Sequence, residues 1–545
     1  MLAKRACLLL FLALVAFYFY GLGHLPLLGA DEPRYAQVAR EMLLRRDLIT
    51  PTLGGHVWFE KPALLYWMMI ASYRLFGISE WSARVGPTLS GLFTVVSIYW
   101  LAKRAENASR DNELVGLAAL SALVTLSTAG IMVFSRAASF DIVVTMTVTW
   151  SLSFFFVYEL DPQSASRNLH LAGFYACIGL SLLAKGLIGV VLPCGVVFTY
   201  YLLRREWGSR FFRTLAWGLP LAAGVSAIWY GPVIVRNGSA FLNAFFIQHH
   251  FARYLSDRYH HAQPVYFYAL VLVTLTLPWS GIFFEALAQA KKWNWHSEEV
   301  TSKLSVFLFS WLLFPFLFFS FSKSKLPGYI VPILPAAAVL TAARLIKLAT
   351  GSVRERWLRR ATGGLLLVLA VVGLVYGRRG ELVTFKCMAI MITPLAAAGV
   401  VAMFRGISKE LFVRVTVCAA LFSAAITLNC GLHGIAQRES ARDLISLADA
   451  AGYSNAPVYG LHKVDRSAEF YAAGRVAYGA DGEPTRFEGV SQVQELLSQT
   501  RGPVLLIVPL EHADQLRGLR SAKVEVIGDN GEIALIAIKP ENVLP

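Results

Sequence analysis

The chain has 545 residues, of which 56% are hydrophobic and 16% charged. Soluble globular chains carry about 25% charged residues, so this composition excludes an ordinary soluble protein and a disordered one, and points to a membrane protein with many spans. The formal net charge of +15 would suggest nucleic acid in a soluble chain; here it reads as a set of orientation signals, and no nucleic-acid partner is expected.

The N-terminus, MLAKRACLLLFLALVAFYFYG, has a basic start and an apolar run as long as a bilayer span, with no A-x-A cleavage site after it. It predicts an uncleaved first helix. Apolar runs of about 17 to 25 residues cross a bilayer as helices, because a helix satisfies its own backbone hydrogen bonds. About thirteen are predicted, near 6–23, 82–102, 113–132, 139–158, 170–184, 187–203, 214–231, 265–289, 304–321, 328–346, 361–377, 383–403 and 411–431. The shorter run from Ala63 to Phe76, broken by Tyr73 and Arg74, predicts an interfacial or re-entrant helix. The six cysteines lie in or beside apolar runs without C-x-x-C spacing and read as small apolar residues, not as a disulfide framework.

Short loops rich in Lys and Arg favour the cytoplasmic side. With Lys4 and Arg5 inside, the inside loops carry Lys103 and Arg104, Arg204 and Arg205, Lys291 and Lys292, Arg344 and Lys347, then Arg405 and Lys409. Two long loops, 24–81 and 232–264, then face outside, as does the tail. The first 434 residues form a membrane domain by this reading. From about Ile435 apolar runs shrink to strand length: PVLLIVPL reads as a strand, VEVIGDNGEIALIAIK as a hairpin around Asp529-Asn530-Gly531, and HADQLRGL has helical spacing. Residues 435–545 are therefore expected to form a small α/β domain in the periplasm.

An outer face should be poor in cations, yet several sit beside span ends: Lys61 in WFEKP, Lys185 in LLAKG, and Lys323 and Lys325 in FSKSKLPGY. Cations at that depth suit a lipid phosphate; snorkelling competes for any single one of them. Asp31 and Glu32 precede Pro33 at a predicted helix start, which fits N-terminal capping, and the helix continues through Arg34 and Tyr35 with an amphipathic pattern. Asp141 opens the fourth predicted span, where an ionisable residue is functional by default and capping is the competing reading. The second outer loop, FIQHHFARYLSDRYHHAQP, holds His249, His250 and Arg253. With Glu60 the histidines could hold a divalent cation such as zinc, although the spacing matches no strong metal signature.

These groups suit transfer of a group from a lipid phosphate, with cations stabilising the departing phosphate. A hydroxyl acceptor would need Asp31 or Asp141 as general base, whereas a phosphate acceptor is already anionic.

The stretch DEPRYAQVAREML, then WFEKP, FD at Asp141, AKG at Lys185 and SKSKLPGYI, resembles the bacterial integral-membrane aminoarabinose transferases of the lipid A pathway. These are GT-C glycosyltransferases related to the protein O-mannosyltransferases. The sequence departs from the family pattern at Gln37 and in QHHFAR. The resemblance implies a polytopic α-helical GT-C fold in the bacterial inner membrane. It implies an undecaprenyl-phosphate sugar donor, a lipid A acceptor on the periplasmic face, and resistance to cationic peptides such as polymyxin. It further implies that Asp31 and Asp141 are the important carboxylates, that Lys61, Arg253 and Tyr329 bind the donor phosphate with Arg34 nearby, and that no cofactor is required, a metal near Glu60, His249 and His250 being optional. Two other readings are a GT-C enzyme serving a glycan or protein hydroxyl, and a transporter of polyprenyl-linked lipid; the one-sided charges and lack of repeats weigh against transport.

Overall fold

The structure is a computed structural model that describes residues 12–109, 113–161, 163, 165–206, 208–245, 263–348, 351–379, 383–404, 406–519 and 522–540. In chain order its elements are α1 (12–19), α2 (Asp31–Leu44), β1 (Thr52–Leu53), β2 (His56–Val57), α3 (Leu64–Phe76), α4 (Glu80–Ala108), α5 (Leu117–Ser127), α6 (Ala129–Phe134), α7 (Phe140–Leu160), α8 (Arg167–Lys185), α9 (Ile188–Arg204) and α10 (Ser209–Leu242). There follow α11 (Phe267–Leu275), α12 (Ser280–Ala288), α13 (Val300–Ser320), a 3₁₀ segment Pro327–Ile333, α14 (Leu334–Lys347), α15 (Val353–Arg379), α16 (Phe385–Met403) and α17 (Lys409–Ile426). The tail adds α18 (His433–Arg438), α19 (Arg442–Ala448), β3 (Val458–Leu461), α20 (Ser467–Tyr471), β4 (Arg486–Phe487), α21 (Val490–Gln499), β5 (Val504–Pro509), β6 (Ala522–Asp529) and β7 (Ile533–Pro540).

Each predicted apolar run is helical over most of its described length, and among the described residues eight helices are long and apolar enough to cross a membrane. Two runs are broken. The run 113–132 divides at Thr128, whose extended backbone frees Ala129 N–H to donate to Leu277 O at 2.8 Å. The run 265–289 divides before Pro278, which cannot supply the N–H that a continuous helix needs. The predicted outer loop from Pro232 is corrected in its first part: α10 continues through Leu242 despite Pro220 and Pro232, with its backbone kinked at Gly238. The rest of that loop, 246–262, lies outside the described residues.

The chain divides into two compact units. The first comprises Met1–Tyr20, Phe59–Leu65 and Arg84–Ile426. Its core is aromatic: Phe156 of α7 stacks on Phe307 of α13 at 4.7 Å, and Phe155 meets Phe211 of α10 edge-on at 5.3 Å. Buried indoles find acceptors, Trp279 Nε1 donating to Ser127 Oγ at 3.0 Å and Trp311 Nε1 to Pro332 O at 2.8 Å.

The second unit comprises Gly21–Trp58, Tyr66–Ala83 and Thr427–Pro545, so the first loop and the tail fold together. Its sheet has the order β4-β3-β5-β7-β6, with β3 parallel to β4 and β5, and β7 antiparallel to β5 and β6. Both faces are covered, which is why β5 and β7 read as near-continuous apolar runs. The predicted hairpin is β6–β7, and HADQLRGL forms a 3₁₀ helix over Leu510–Gly518. In the first loop, Gly54 and Gly55 take positive φ in the tight β1–β2 turn. A Cβ on Gly54 would lie 2.2 Å from the Tyr478 ring.

The cysteine reading is corrected: Cys387 and Cys430 are both disulfide-bonded, whereas Cys177, Cys194 and Cys418 are free. Hydropathy could not reveal this, because a small apolar cysteine and a paired one look alike in an apolar run.

Candidate functional site

In the first unit the site gathers around Asp141. Ser139 caps α7, its Oγ accepting from Asp141 N–H at 3.1 Å and donating to Asp141 Oδ2 at 3.1 Å. The capping role that competed as a reading of Asp141 thus falls to Ser139, leaving the Asp141 carboxylate for another partner. That partner is Lys185, whose Nζ donates to Asp141 Oδ1. Lys185 is the last residue of α8, where Gly186 turns the chain with φ of 69°, so the ammonium is presented at a helix C-terminus, a favourable place for a cation. Its Nζ also lies 4.9 Å from the centroid of the Tyr329 ring, a cation–π arrangement, and Tyr329 packs on Phe319 at 5.5 Å.

Lys61 and Glu60 pair at 2.9 Å, with only 12% and 9% of their side-chain surfaces exposed. Phe59, just before them, meets Phe241 edge-on at 5.1 Å, which anchors the WFEKP segment within the unit. Lys61 is within electrostatic reach of Asp141. The unit thereby sets the Lys185–Asp141 pair beside one tyrosine, with the Lys61 charge acting on the same carboxylate, an arrangement in which a phosphate can compete with the carboxylates for N–H donors; each ammonium carries three.

The SKSKLPGY loop divides its lysines. Lys325 is buried and donates to Ser322 O at 2.7 Å and Gln263 O at 3.0 Å, so it holds the loop together; Lys323 is exposed. Tyr268 supports the same loop, its hydroxyl donating to Leu326 O at 3.2 Å.

Asp31, Glu32, Arg34 and Tyr35 belong to α2 in the second unit. Glu32 is buried and accepts from Leu28 N–H at 2.8 Å, closing the turn into α2; the helix itself begins at Asp31 and its N-cap residue, Ala30, makes no side-chain cap, so the expected capping arrangement takes this other form. Asp31 is 55% exposed and pairs with Arg34 at 2.6 Å; Arg34 also donates to Ala30 O at 2.7 Å and lies 5.4 Å over Trp58. Tyr35 is buried edge-on against Tyr66 at 6.4 Å. Behind this face, Glu41 accepts from Thr52 Oγ1 and Gly54 N–H, both at 2.8 Å, which fixes the β1–β2 hairpin to α2. Gln37 donates to the same carboxylate at 3.1 Å.

Arg253, His249 and His250 lie outside the described residues. Among the described residues no cluster of three His, Cys, Asp or Glu groups could hold a metal ion, and Glu60 is engaged by Lys61.

Three site residues were not anticipated. Ser139 carries an N-cap signal that the serine-rich SRAASFD segment does contain. Trp58 lies in the WFEKP segment, where nothing in the sequence marks the contact that Arg34 makes over its ring. Gly328 carries no local signal at all: a Cβ there would sit 2.0 Å from Asp141 Oδ2, so the LPGY glycine is what lets the 3₁₀ backbone approach the carboxylate.

A family model described as dolichyl-phosphate-mannose-protein mannosyltransferase matches residues 6–255. The chain is 32% identical over 378 residues to the undecaprenyl phosphate-alpha-4-amino-4-deoxy-L-arabinose arabinosyl transferase of Erwinia tasmaniensis, covering 68% of this chain and 65% of that one. It is 31% identical over 355 residues to the enzyme of the same name from Pseudomonas aeruginosa strain LESB58, covering 64% and 61%. The chain therefore spans slightly less than two thirds of these curated relatives. In three dimensions it is similar to the crystal structure of ArnT from Cupriavidus metallidurans bound to undecaprenyl phosphate, with a TM-score of 0.81, 24% identity and 98% of each chain covered. The resemblance expected from the sequence is thus found in both sequence and fold, and the chain has the polytopic GT-C fold with a small α/β tail.

Proposed function

We propose that this chain is a membrane glycosyltransferase that moves 4-amino-4-deoxy-L-arabinose from undecaprenyl phosphate to a lipid A phosphate at the periplasmic face of the inner membrane. The observation that carries the reading is the Asp141–Lys185–Tyr329 cluster at one end of α7 and α8, with Lys61 in electrostatic reach. The names of the curated relatives and the fold shared with ArnT support it.

In the proposed reaction an oxygen of the acceptor phosphate attacks the anomeric carbon. The bond from that carbon to the donor phosphate oxygen breaks, and its electron pair leaves with undecaprenyl phosphate. The acceptor is already anionic, so no proton need be removed. The demand on the protein is to stabilise charge developing on the leaving phosphate, which Lys61 and Lys185 meet by donating N–H groups; Tyr329 and Arg253 share that contact in the proposal. Asp141 holds the Lys185 ammonium in position.

The outer-face orientation has two supports. Lys and Arg gather in the loops on the opposite side. Disulfides persist in oxidising compartments, and Cys387 and Cys430 both lie at span ends predicted to face outward.

A second reading, transfer of a prenyl-linked sugar to a protein hydroxyl, is favoured by the match of residues 6–255 to the mannosyltransferase family model. It would require Asp31 or Asp141 as a general base. Incubating the purified chain with undecaprenyl-phosphate aminoarabinose and lipid A, followed by mass spectrometry, tests the proposal. A gain of one aminoarabinose on lipid A, lost on Lys61→Ala, is the expected result; unmodified lipid A alongside a glycosylated peptide acceptor would favour the second reading.

A further inference from the structure

A cavity of about 210 Å³ opens among the end of α12, the residues after it, the N-terminus of α13 and the C-terminal end of α14, all within the first unit and on the side of the Lys- and Arg-rich loops. It takes no part in the chemistry proposed above. Its mouth carries Lys292 and Lys347, both exposed, and neither forms an ion pair among the described residues. The nearby acids are already committed: Glu285 pairs with Arg344 at 2.9 Å and with Arg354 at 2.6 Å, and Glu298 with Arg204 at 2.5 Å and with Lys303.

Thr301 stands in the first turn of α13, whose N-cap residue Glu299 makes no side-chain cap, so the first N–H groups of that helix have no intrahelical or capping side-chain acceptor. Free N–H groups at a helix start favour an anion. The inner wall is apolar, built from Leu304, Leu308 and Leu340, while Trp293 lines the mouth and sits 5.9 Å from Trp295. Paired tryptophans are usual at headgroup depth.

From this combination we infer that the cavity is a binding site for one anionic phospholipid of the leaflet facing the Lys- and Arg-rich loops. Its phosphate lies between Lys292, Lys347 and the start of α13, and its glycerol backbone and first methylenes lie against the leucines. The apolar wall is what selects a lipid over free phosphate: an inorganic ion would use the cations and leave the leucine surface in water. Basic pockets between spans on the inner side are suited to anionic headgroups. The inference does not rest on the proposed transferase activity.

The test uses the full chain in nanodiscs of phosphatidylcholine with and without phosphatidylglycerol, delipidated stepwise and examined by native mass spectrometry. The native chain is expected to retain one phosphatidylglycerol in preference to phosphatidylcholine. The Lys292→Gln, Lys347→Gln double variant should lose about thirtyfold of that preference, as removal of two headgroup-depth cations requires. A Lys463→Gln, Lys523→Gln pair in the tail should keep it. Equal retention by the first double variant overturns the site, as does equal loss in the tail pair, which would reduce the effect to net charge. Added inorganic phosphate that displaces the lipid stoichiometrically at low concentration would overturn the lipid as occupant, because the apolar wall would then contribute nothing.

Discussion

Arg40 of α2 donates to the main-chain oxygen of Phe470 at 2.6 Å, and its guanidinium lies 4.2 Å over the Phe470 ring, although 430 residues separate the two in sequence. Beside it Tyr471 accepts from Leu27 N–H at 2.8 Å and donates to Glu80 at 3.2 Å. The short helix α20 therefore holds both ends of the first loop, including the helix that carries Asp31. Arg40→Met should leave the Phe470 oxygen without its donor and cost about 1–3 kcal/mol. Thermal unfolding of the solubilised chain checks this; an unchanged melting temperature would show that the joint is not stabilising.

Lys185 and Asp141 act as one unit in the proposed reaction. Removing either leaves the other's charge without its partner, so Lys185→Ala and Asp141→Asn should each lower transfer by about 10²–10³-fold. The double variant should be little worse than either single, because the two changes remove one shared interaction. Initial rates of sugar transfer to lipid A measure it, and additive losses would separate the two roles.

Gly328 should tolerate no side chain. The added methyl of Gly328→Ala would have to displace the Asp141 carboxylate or the 3₁₀ segment, so activity should fall by at least about tenfold while the helical signal in circular dichroism persists. Gly224→Ala in α10, where a Cβ meets no atom within 4 Å, is the matched control and should leave the rate unchanged.

Glu469 is fully buried in the second unit, with Oε1 taken by Arg466 at 2.9 Å and Tyr478 at 3.1 Å and Oε2 accepting no hydrogen bond among the described residues. Burial pushes its carboxyl above the usual range, outweighing the pull of Arg466. A carboxyl raised in the folded state binds its proton more tightly there than in the unfolded chain. Its stabilising contribution is complete below the unfolded value of about 4 and declines as pH rises through the raised value. Glu469→Gln should remove that decline, so the difference in melting temperature between variant and native chain should shift in the variant's favour from acid toward neutral pH. A constant difference would refute the assignment.

The orientation can be read through cysteine chemistry. After reduction of intact spheroplasts, a membrane-impermeant maleimide added outside should label the native chain, and the Cys387→Ser, Cys430→Ser double variant should lose that reduction-dependent signal. Labelling without reductant, unaffected by the double substitution, would contradict oxidised Cys387 and Cys430 on the outer face.

Hydropathy and turn chemistry by themselves located the apolar helices and the β6–β7 hairpin at Asp529-Asn530-Gly531. These properties are local: an apolar run of span length or an Asn-Gly turn carries its cause within a few residues. The same local logic located Asp141 and Lys185 as charges out of place at span ends. It could not say that they touch across 44 residues, that Ser139 takes the cap and releases Asp141, that Lys325 is spent holding its own loop, or that Cys387 and Cys430 are oxidised. It also treated the first loop and the tail as separate, whereas Arg40 and Phe470 join them. Pairing is a property of three-dimensional proximity, and composition carries no record of which distant group comes within hydrogen-bond reach. Gly328 is the clearest case: nothing in LPGY marks it, and only the approach of Asp141 to its backbone explains why no side chain fits there.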